Sequence, residues 1–415
     1  MPEIVMITAR GSVHHARPLL EHFGGRAVAE SDRLPASLAA HSPELVITFD
    51  EHDCELGMLT GEMARRNVAT LQIMDGILEW RRTWQYPTSA QKRPLNQPAL
   101  AHKIACLGRA DARIMESWGN VGKCEVVGSP RFDHLVREGR AMRLSPVAGR
   151  PLRLLVMTAK TPGFTPAQVE TTFASLADIR DTVGQRQDVE ILWRVTQNMH
   201  KDLGVRDTVR DVTGGELHQM LRNVDAVSTT SSTAMLESML CGLPTALLDY
   251  HNCPHYVAAA WRISCRSQIE PTVEALRVPP LERMLYQDYC LHDGLACATP
   301  ALPRMVRLIE EMIRIRREQS GSGRGELVFP HRLVEDPAEH VSWPSREFDL
   351  SKLYPGHPVF GRTDIVAMQN ELEAALGTVE RLHGQVDVLT RRLHRIPGYL
   401  LAVRLGKKLR PRWPR

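Results

Sequence analysis

The run Asn223-Val-Asp-Ala-Val-Ser-Thr-Thr-Ser-Ser-Thr-Ala-Met-Leu-Glu-Ser-Met-Leu-Cys-Gly-Leu-Pro-Thr-Ala-Leu-Leu-Asp249 gathers side chains suited to holding an anion. Its apolar start reads as a strand ending at Ser228. A hydroxyl-rich loop follows, then a helix expected over Thr233 to Leu240 with Glu237 one turn in. The first amides of such a helix lack intrahelical acceptors and carry the positive end of its dipole. They can bind phosphate, with Ser231, Ser232 and Thr233 adding donors, and Glu237 can then accept from a ribose. The plainer use of these hydroxyls is to cap the helix.

A second constellation is Gln72-Ile-Met-Asp-Gly-Ile-Leu-Glu-Trp-Arg81, which follows a strand-like run and turns at Gly76. It brings Asp75 and Glu79 close together at the kind of strand end where α/β proteins bind ligands. Asp75 is the first choice for a catalytic base and Glu79 the second, against a purely turn-shaping role for Asp75. Thr8-Ala-Arg-Gly-Ser-Val-His-His15 sets His14 and His15 at a helix start, and imidazole can exchange a proton near neutrality. Only one of the two is expected to face a cleft. Lys160 and Arg194 each follow an apolar run, and Asp50, Glu51 and Asp53 end another. His251, Cys253 and His255 suggest a metal, but a proline lies between them and a fourth ligand is missing, so no metal or other cofactor is expected.

These residues need a scaffold, and the chain has the length for two domains: 415 residues, 43% apolar and 24% charged. Apolar runs at Ile4 to Ile7, Leu45 to Phe49, Ala69 to Ile73, Ile104 to Leu107 and Glu125 to Val127 alternate with helical stretches. After the Pro/Gly/Arg-rich Leu144 to Pro151 the pattern restarts at Leu152 to Met157, Val189 to Val195, Asp225 to Ser228 and Pro244 to Leu248. Such alternation implies parallel sheets with crossover helices, hence an α/β chain of two Rossmann-like domains, residues 1–148 and 149–320. The helix expected at Arg304 to Arg317 would end the second domain. Residues 321–361 read as an irregular, Pro-rich strap. From Ile365 to Ile396 apolar residues recur at alternating spacings of three and four, a heptad pattern that predicts a coiled coil over 362–396 and a homo-oligomer.

The net charge of +4 is unevenly spread. Residues 391–415 hold nine Lys/Arg and no acidic residue, leaving the rest of the chain at −5. With Tyr399 and Trp413 among these charges, residues 397–415 are expected to lie on an anionic membrane surface. Aromatics at 5% leave few platforms for bases, so no nucleic-acid partner is expected. The eight scattered cysteines form no CxxC pair and suit a reducing compartment. Without a leader-like N-terminus or a long apolar run, the expected location is cytoplasmic, on the inner face of the membrane.

The strand, Ser-Ser-Thr loop, Glu237 and Gly242-x-Pro244 together resemble the donor-nucleotide motif of GT-B glycosyltransferases, and the two-domain organisation agrees over roughly residues 1 to 318. Within that superfamily the chain is similar to cytoplasmic enzymes of cell-surface polysaccharide assembly, including glycerophosphotransferase and Kdo-transferase-like groups. The resemblance implies a first domain for the acceptor and a second for a nucleotide-sugar donor, working without metal. It implies that Ser231, Ser232 and Thr233 approach the donor diphosphate, that Glu237 approaches the ribose, and that Lys160 contacts phosphate. Arg194 is basic where many relatives carry a basic residue, but their His-Pro is replaced here by Val-Thr-Gln-Asn-Met-His200. His14 or His15 corresponds to an acceptor-side base, Arg131 of Gly128-Ser-Pro-Arg-Phe-Asp133 lies near the cleft, and His255 is a further cleft contact. The expected acceptor is a glycan or lipid-linked glycan. A UDP-sugar epimerase and a non-catalytic scaffold of the same fold are the alternatives.

Overall fold

Continuous aliphatic runs buried on both faces belong in parallel sheets covered by helices. A computed structural model describes residues 3–8, 13–31, 43–49, 54–85, 96–139, 141–145, 149–207, 216–321, 326–337 and 365–394. The first half holds β1 (Ile4–Thr8), α1 (Val13–Phe23), β2 (Ala27–Ser31), β3 (Leu45–Thr48), α2 (Cys54–Arg65), β4 (Ala69–Ile73), α3 (Trp80–Trp84), β5 (Lys103–Cys106), α4 (Arg109–Ser117), β6 (Cys124–Val126) and α5 (Asp133–Glu138). The second holds β7 (Leu152–Met157), α6 (Pro166–Val183), β8 (Val189–Arg194), α7 (Met199–Asp202), α8 (Leu217–Leu221), β9 (Ala226–Thr229), α9 (Thr233–Leu240), β10 (Thr245–Leu248), β11 (Trp261–Ile263), α10 (Ile269–Arg277) and α11 (Leu281–Gly294). After these come α12 (Leu302–Gly321) and α13 (Ile365–His394).

The strands form two all-parallel sheets, ordered β2-β1-β3-β4-β5-β6 and β11-β10-β9-β7-β8. Each order reverses once, between β1 and β3 and between β7 and β9, and ligands of open α/β sheets bind beyond the carboxyl ends at such points. The edge strands β2 and β11 are additions to the expected set. A shared core seals the halves, with Met74, Leu78, Ile104 and Leu107 of the first packed in one cluster with Leu155, Met157, Met235 and Leu236 of the second.

Helix α12 differs from the expectation that it would finish the second half. Its buried stripe of Met305, Leu308, Ile309, Met312 and Ile313 packs with Ile4, Met6, Leu45 and Ile47, so the chain returns to the first sheet. Residues 326–337 then follow the first half without helix or strand. They are fastened by the buried Lys103–Glu125 pair: Lys103 Nζ donates to the His331 carbonyl (2.9 Å), and the Glu125 carboxylate accepts from the amides of Leu333 (2.9 Å) and Val334 (3.2 Å).

Residues 347–415 form a separate unit. In it α13 runs 30 residues and leaves Leu372, Leu376, Val379, Leu382, Val386, Val388 and Leu389 exposed. The tail at 397–415, the remainder of the expected strap, and Asp50, Glu51 and Asp53 lie outside the described residues. No helix among the described residues is long and apolar enough to cross a membrane.

Candidate active site

The start of α1, Phe49 at the end of β3 and the segment after β4 face the segments after β7 and β9 and Arg194 at the end of β8 across a cavity of about 760 Å³. Of the residues singled out in the sequence, His14, His15, Asp75, Gly76, Glu79, Arg131, Lys160, Arg194, Ser231, Ser232, Thr233 and Glu237 all line it. Among the other lining residues, Phe49, Asn96, Phe164 and Leu217 carried no sequence signal. Both histidines border the cavity rather than one, because they open α1 with rings only 4.0 Å apart.

The halves touch at the centre of the site. The amide of Ile77 donates to Thr233 Oγ1 at 3.2 Å, and a Cβ on Gly76 would lie 2.6 Å from that oxygen. Gly76 is therefore required by the close approach of the two halves. No side chain caps α9: Ser232 occupies the N-cap position without a cap bond, and the Thr233 hydroxyl turns across the cleft. The opening amides of α9 and the positive end of its dipole thus border the cavity, with Lys160 and Arg194 on the same wall. Gly242 serves the scaffold: it adopts φ +70°, and a Cβ there would meet the Ala141 carbonyl at 2.4 Å.

Glu237 is held by a chain of groups that sequence reasoning did not find. His218 Nε2 lies 2.6 Å from Glu237 Oε2, and His218 Nδ1 lies 2.9 Å from His134 Nε2. His134 Nδ1 in turn lies 3.1 Å from the Arg131 carbonyl. Arg131 stands 3.7 Å from the other Glu237 oxygen. Glu237 therefore meets His218 from its own half and the Arg131 guanidinium from the other.

Burial sorts the acid–base candidates. It pushes the Asp75 carboxyl above the ordinary carboxylate range, against the pull of Arg131, His14 and Lys160. Burial, with help from Arg131, His14 and Lys160, drives His15 down to about 3, so its ring is neutral at working pH and a feeble base. Glu79 is also raised by burial, but its carboxylate pairs with the buried Arg81, which donates on to the Pro162 carbonyl at 3.2 Å. His255 does not line the cavity. Its backbone bridges to Glu79, and its Nε2 lies 3.0 Å from Asp249 Oδ2. Asp249, Cys253 and His255 bring three metal-type ligand atoms within 4.8 Å, yet the Arg262 guanidinium already pairs with the same Asp249 oxygen. A cation on that oxygen occupies the place a metal would take.

No protein-family model and no curated protein matches the chain. Solved structures do match. A Staphylococcus aureus MnaA–UDP co-structure is 10% identical, with a TM-score of 0.52 over 76% of this chain and 97% of that one. A CDPG-soaked structure of the wall teichoic acid polymerase TagF is 10% identical, with a TM-score of 0.48 over 77% of this chain and 90% of that one. The glycotransferase of kitacinnamycin is 13% identical, with a TM-score of 0.45 over 74% and 98%. At such identity a likeness speaks for architecture alone, and the chain shares a two-domain α/β fold with the MnaA structure.

Proposed function

We propose that the chain is a transferase that moves a glycosyl or polyol-phosphate group from a nucleotide-activated donor to a hydroxyl acceptor. One observation carries this reading: a single cavity combines the open start of α9, Lys160 and Arg194 on one wall with the half-buried carboxyl of Asp75 on the other. The donor diphosphate lies against the α9 amides and the two cations, and Glu237 accepts from its ribose. For a glycosyl group the acceptor oxygen attacks the donor carbon as its bond to the leaving diphosphate oxygen breaks; for a polyol phosphate it attacks the distal phosphorus as the P–O bond to the leaving nucleoside monophosphate breaks. Asp75 takes the hydroxyl proton, and the cationic wall meets the charge arriving on the leaving group. These groups suffice for the reaction without a metal. The acceptor is a glycan or lipid-linked glycan, brought near by residues 397–415 on an anionic membrane; deleting them should abolish sedimentation with anionic liposomes and leave nucleotide binding unchanged.

The test of the donor site is a thermal-shift series with UDP, CDP, GDP and CMP, since a ligand that binds only the folded state raises stability by RT ln(1 + [L]/Kd). At least one nucleotide should raise the melting temperature, and Glu237→Ala should remove that rise by deleting a charge-assisted acceptor. A folded Glu237→Ala protein with undiminished affinity overturns the assignment.

A further inference from the structure

Three of the chain's seven tryptophans meet one of its seven tyrosines at a single place beside the cavity. Trp80 and Trp84 are one turn apart on α3, Trp118 follows α4, and Tyr256 comes from the second half. Their rings form a closed circuit: Trp80 to Trp84 at 5.6 Å, Trp84 to Trp118 at 6.1 Å, Trp118 to Tyr256 at 6.0 Å and Tyr256 to Trp80 at 6.2 Å. Trp84 Nε1 donates to the Tyr256 hydroxyl at 3.0 Å, which fixes the two rings across the halves.

This cluster is unlike a core. Trp84 is 47% exposed, and the other three rings are only partly buried. It neighbours the cavity: Glu79, Arg82 and Thr83 line that cavity, and Trp80 and Trp84 come from the same short segment. Tyr256 adjoins His255, whose backbone bridges to Glu79. The neighbours of Trp84 in sequence are polar: Arg82, Thr83 and Gln85, the last accepting from Gln168 Nε2 at 3.1 Å.

We propose that this aromatic shelf is the acceptor subsite and takes a chain of pyranose sugars. The proposal rests on the transferase reading above. A pyranose presents axial C–H groups on a face and hydroxyls around its rim, so it stacks on an electron-rich ring while its rim seeks polar partners. The exposed indole of Trp84 supplies the ring. The Tyr256 hydroxyl, which accepts from Trp84 and among the described residues donates its own proton to no acceptor, supplies a rim partner. A glycan lying along the shelf directs its terminal hydroxyl into the cavity towards Asp75. A membrane-inserting wedge, by contrast, calls for apolar flanks, and the residues flanking Trp84 are polar.

The test titrates the full chain, with and without UDP or CDP, with chitotetraose, cellotetraose and maltotetraose, following tryptophan fluorescence and calorimetric heat. At least one tetrasaccharide should quench the fluorescence. Trp84→Ala should weaken its binding tenfold or more with nucleotide affinity within twofold of wild type, and Trp84→Phe should restore most of the loss. The proposal fails if no tetrasaccharide binds, or if Trp84→Ala binds as the wild type does. It fails also if phosphatidylglycerol vesicles, and not sugars, shift the fluorescence in a Trp84-dependent way. Nucleotide binding without sugar binding removes the shelf and spares the transferase reading; Trp84-dependent sugar binding without nucleotide binding keeps the shelf as a glycan site and removes that reading.

Discussion

Asp75 and His15 border one cavity, yet burial drives them towards opposite chemistry. The carboxyl holds its proton more tightly than usual, and the imidazole scarcely binds one. Of the two, Asp75 is the better base at neutral pH. Asp75→Asn should lower turnover by roughly 10²-fold or more while donor affinity stays within twofold. Full turnover in that variant, with a loss in His15→Gln or His14→Gln, would transfer the role to a histidine. Gly76 tests the closeness of the two halves. Gly76→Ala forces a Cβ against Thr233 Oγ1 and should cost ~1–3 kcal/mol in unfolding free energy. Combining it with Thr233→Ala removes the clashing oxygen, so the double variant should be more stable than the sum of the single effects implies. Strict additivity would show that the two residues do not meet. Among single residues the sequence was legible where a polar side chain lies just beyond a strand end, as Asp75, Lys160 and Ser231 do. His218 and His134 escaped because their partners are 19 and 84 residues distant, and no local pattern encodes such a meeting.

Elements were legible where apolar runs are continuous. β4, β7 and α9 have the bounds that pattern alone suggests. β2 and β11 were not, since each is an edge strand that needs fewer apolar residues: Ala-Val-Ala-Glu-Ser carries a charge, and Trp-Arg-Ile is three residues long. α12 was legible as a helix but not in its placement, because an apolar stripe says that a face is buried and not against what. The same reasoning bears on α13. Its 30 residues leave Leu372, Val379, Leu382, Val386 and Leu389 exposed along the heptad stripe, and a lone helix with such a stripe gains by pairing it. The full chain should therefore sediment as an oligomer and a chain ending at residue 360 as a monomer. Equal oligomeric mass for the two would remove the coiled coil.

Across the whole molecule, buried titratable groups of opposite sense set how stability responds to pH. Burial lowers His15 to about 3 and, with the nearby Lys123 and Arg81 respectively, His102 and His251 to about 4. The unfolded chain takes up these protons from about pH 6.5 downwards and the folded chain does not, so each histidine makes stability fall as the pH falls. Asp111 acts the other way. Fully buried at the start of α4, its carboxyl is pushed up to about 7, first by desolvation and further by Asp293. Its contribution is complete below about pH 3.8, the unfolded value, and is lost as the pH rises through about 7. Between those limits it offsets the histidines. Asp111→Asn keeps the shape and removes the titration, so the stability of the variant should climb more steeply with pH than that of the wild type. The added slope should approach about 1.4 kcal/mol per pH unit, the value for one proton. Urea midpoints measured at half-unit steps from pH 4.5 to 7 give both slopes, and parallel curves would mean that Asp111 is ionised in the folded protein throughout that range.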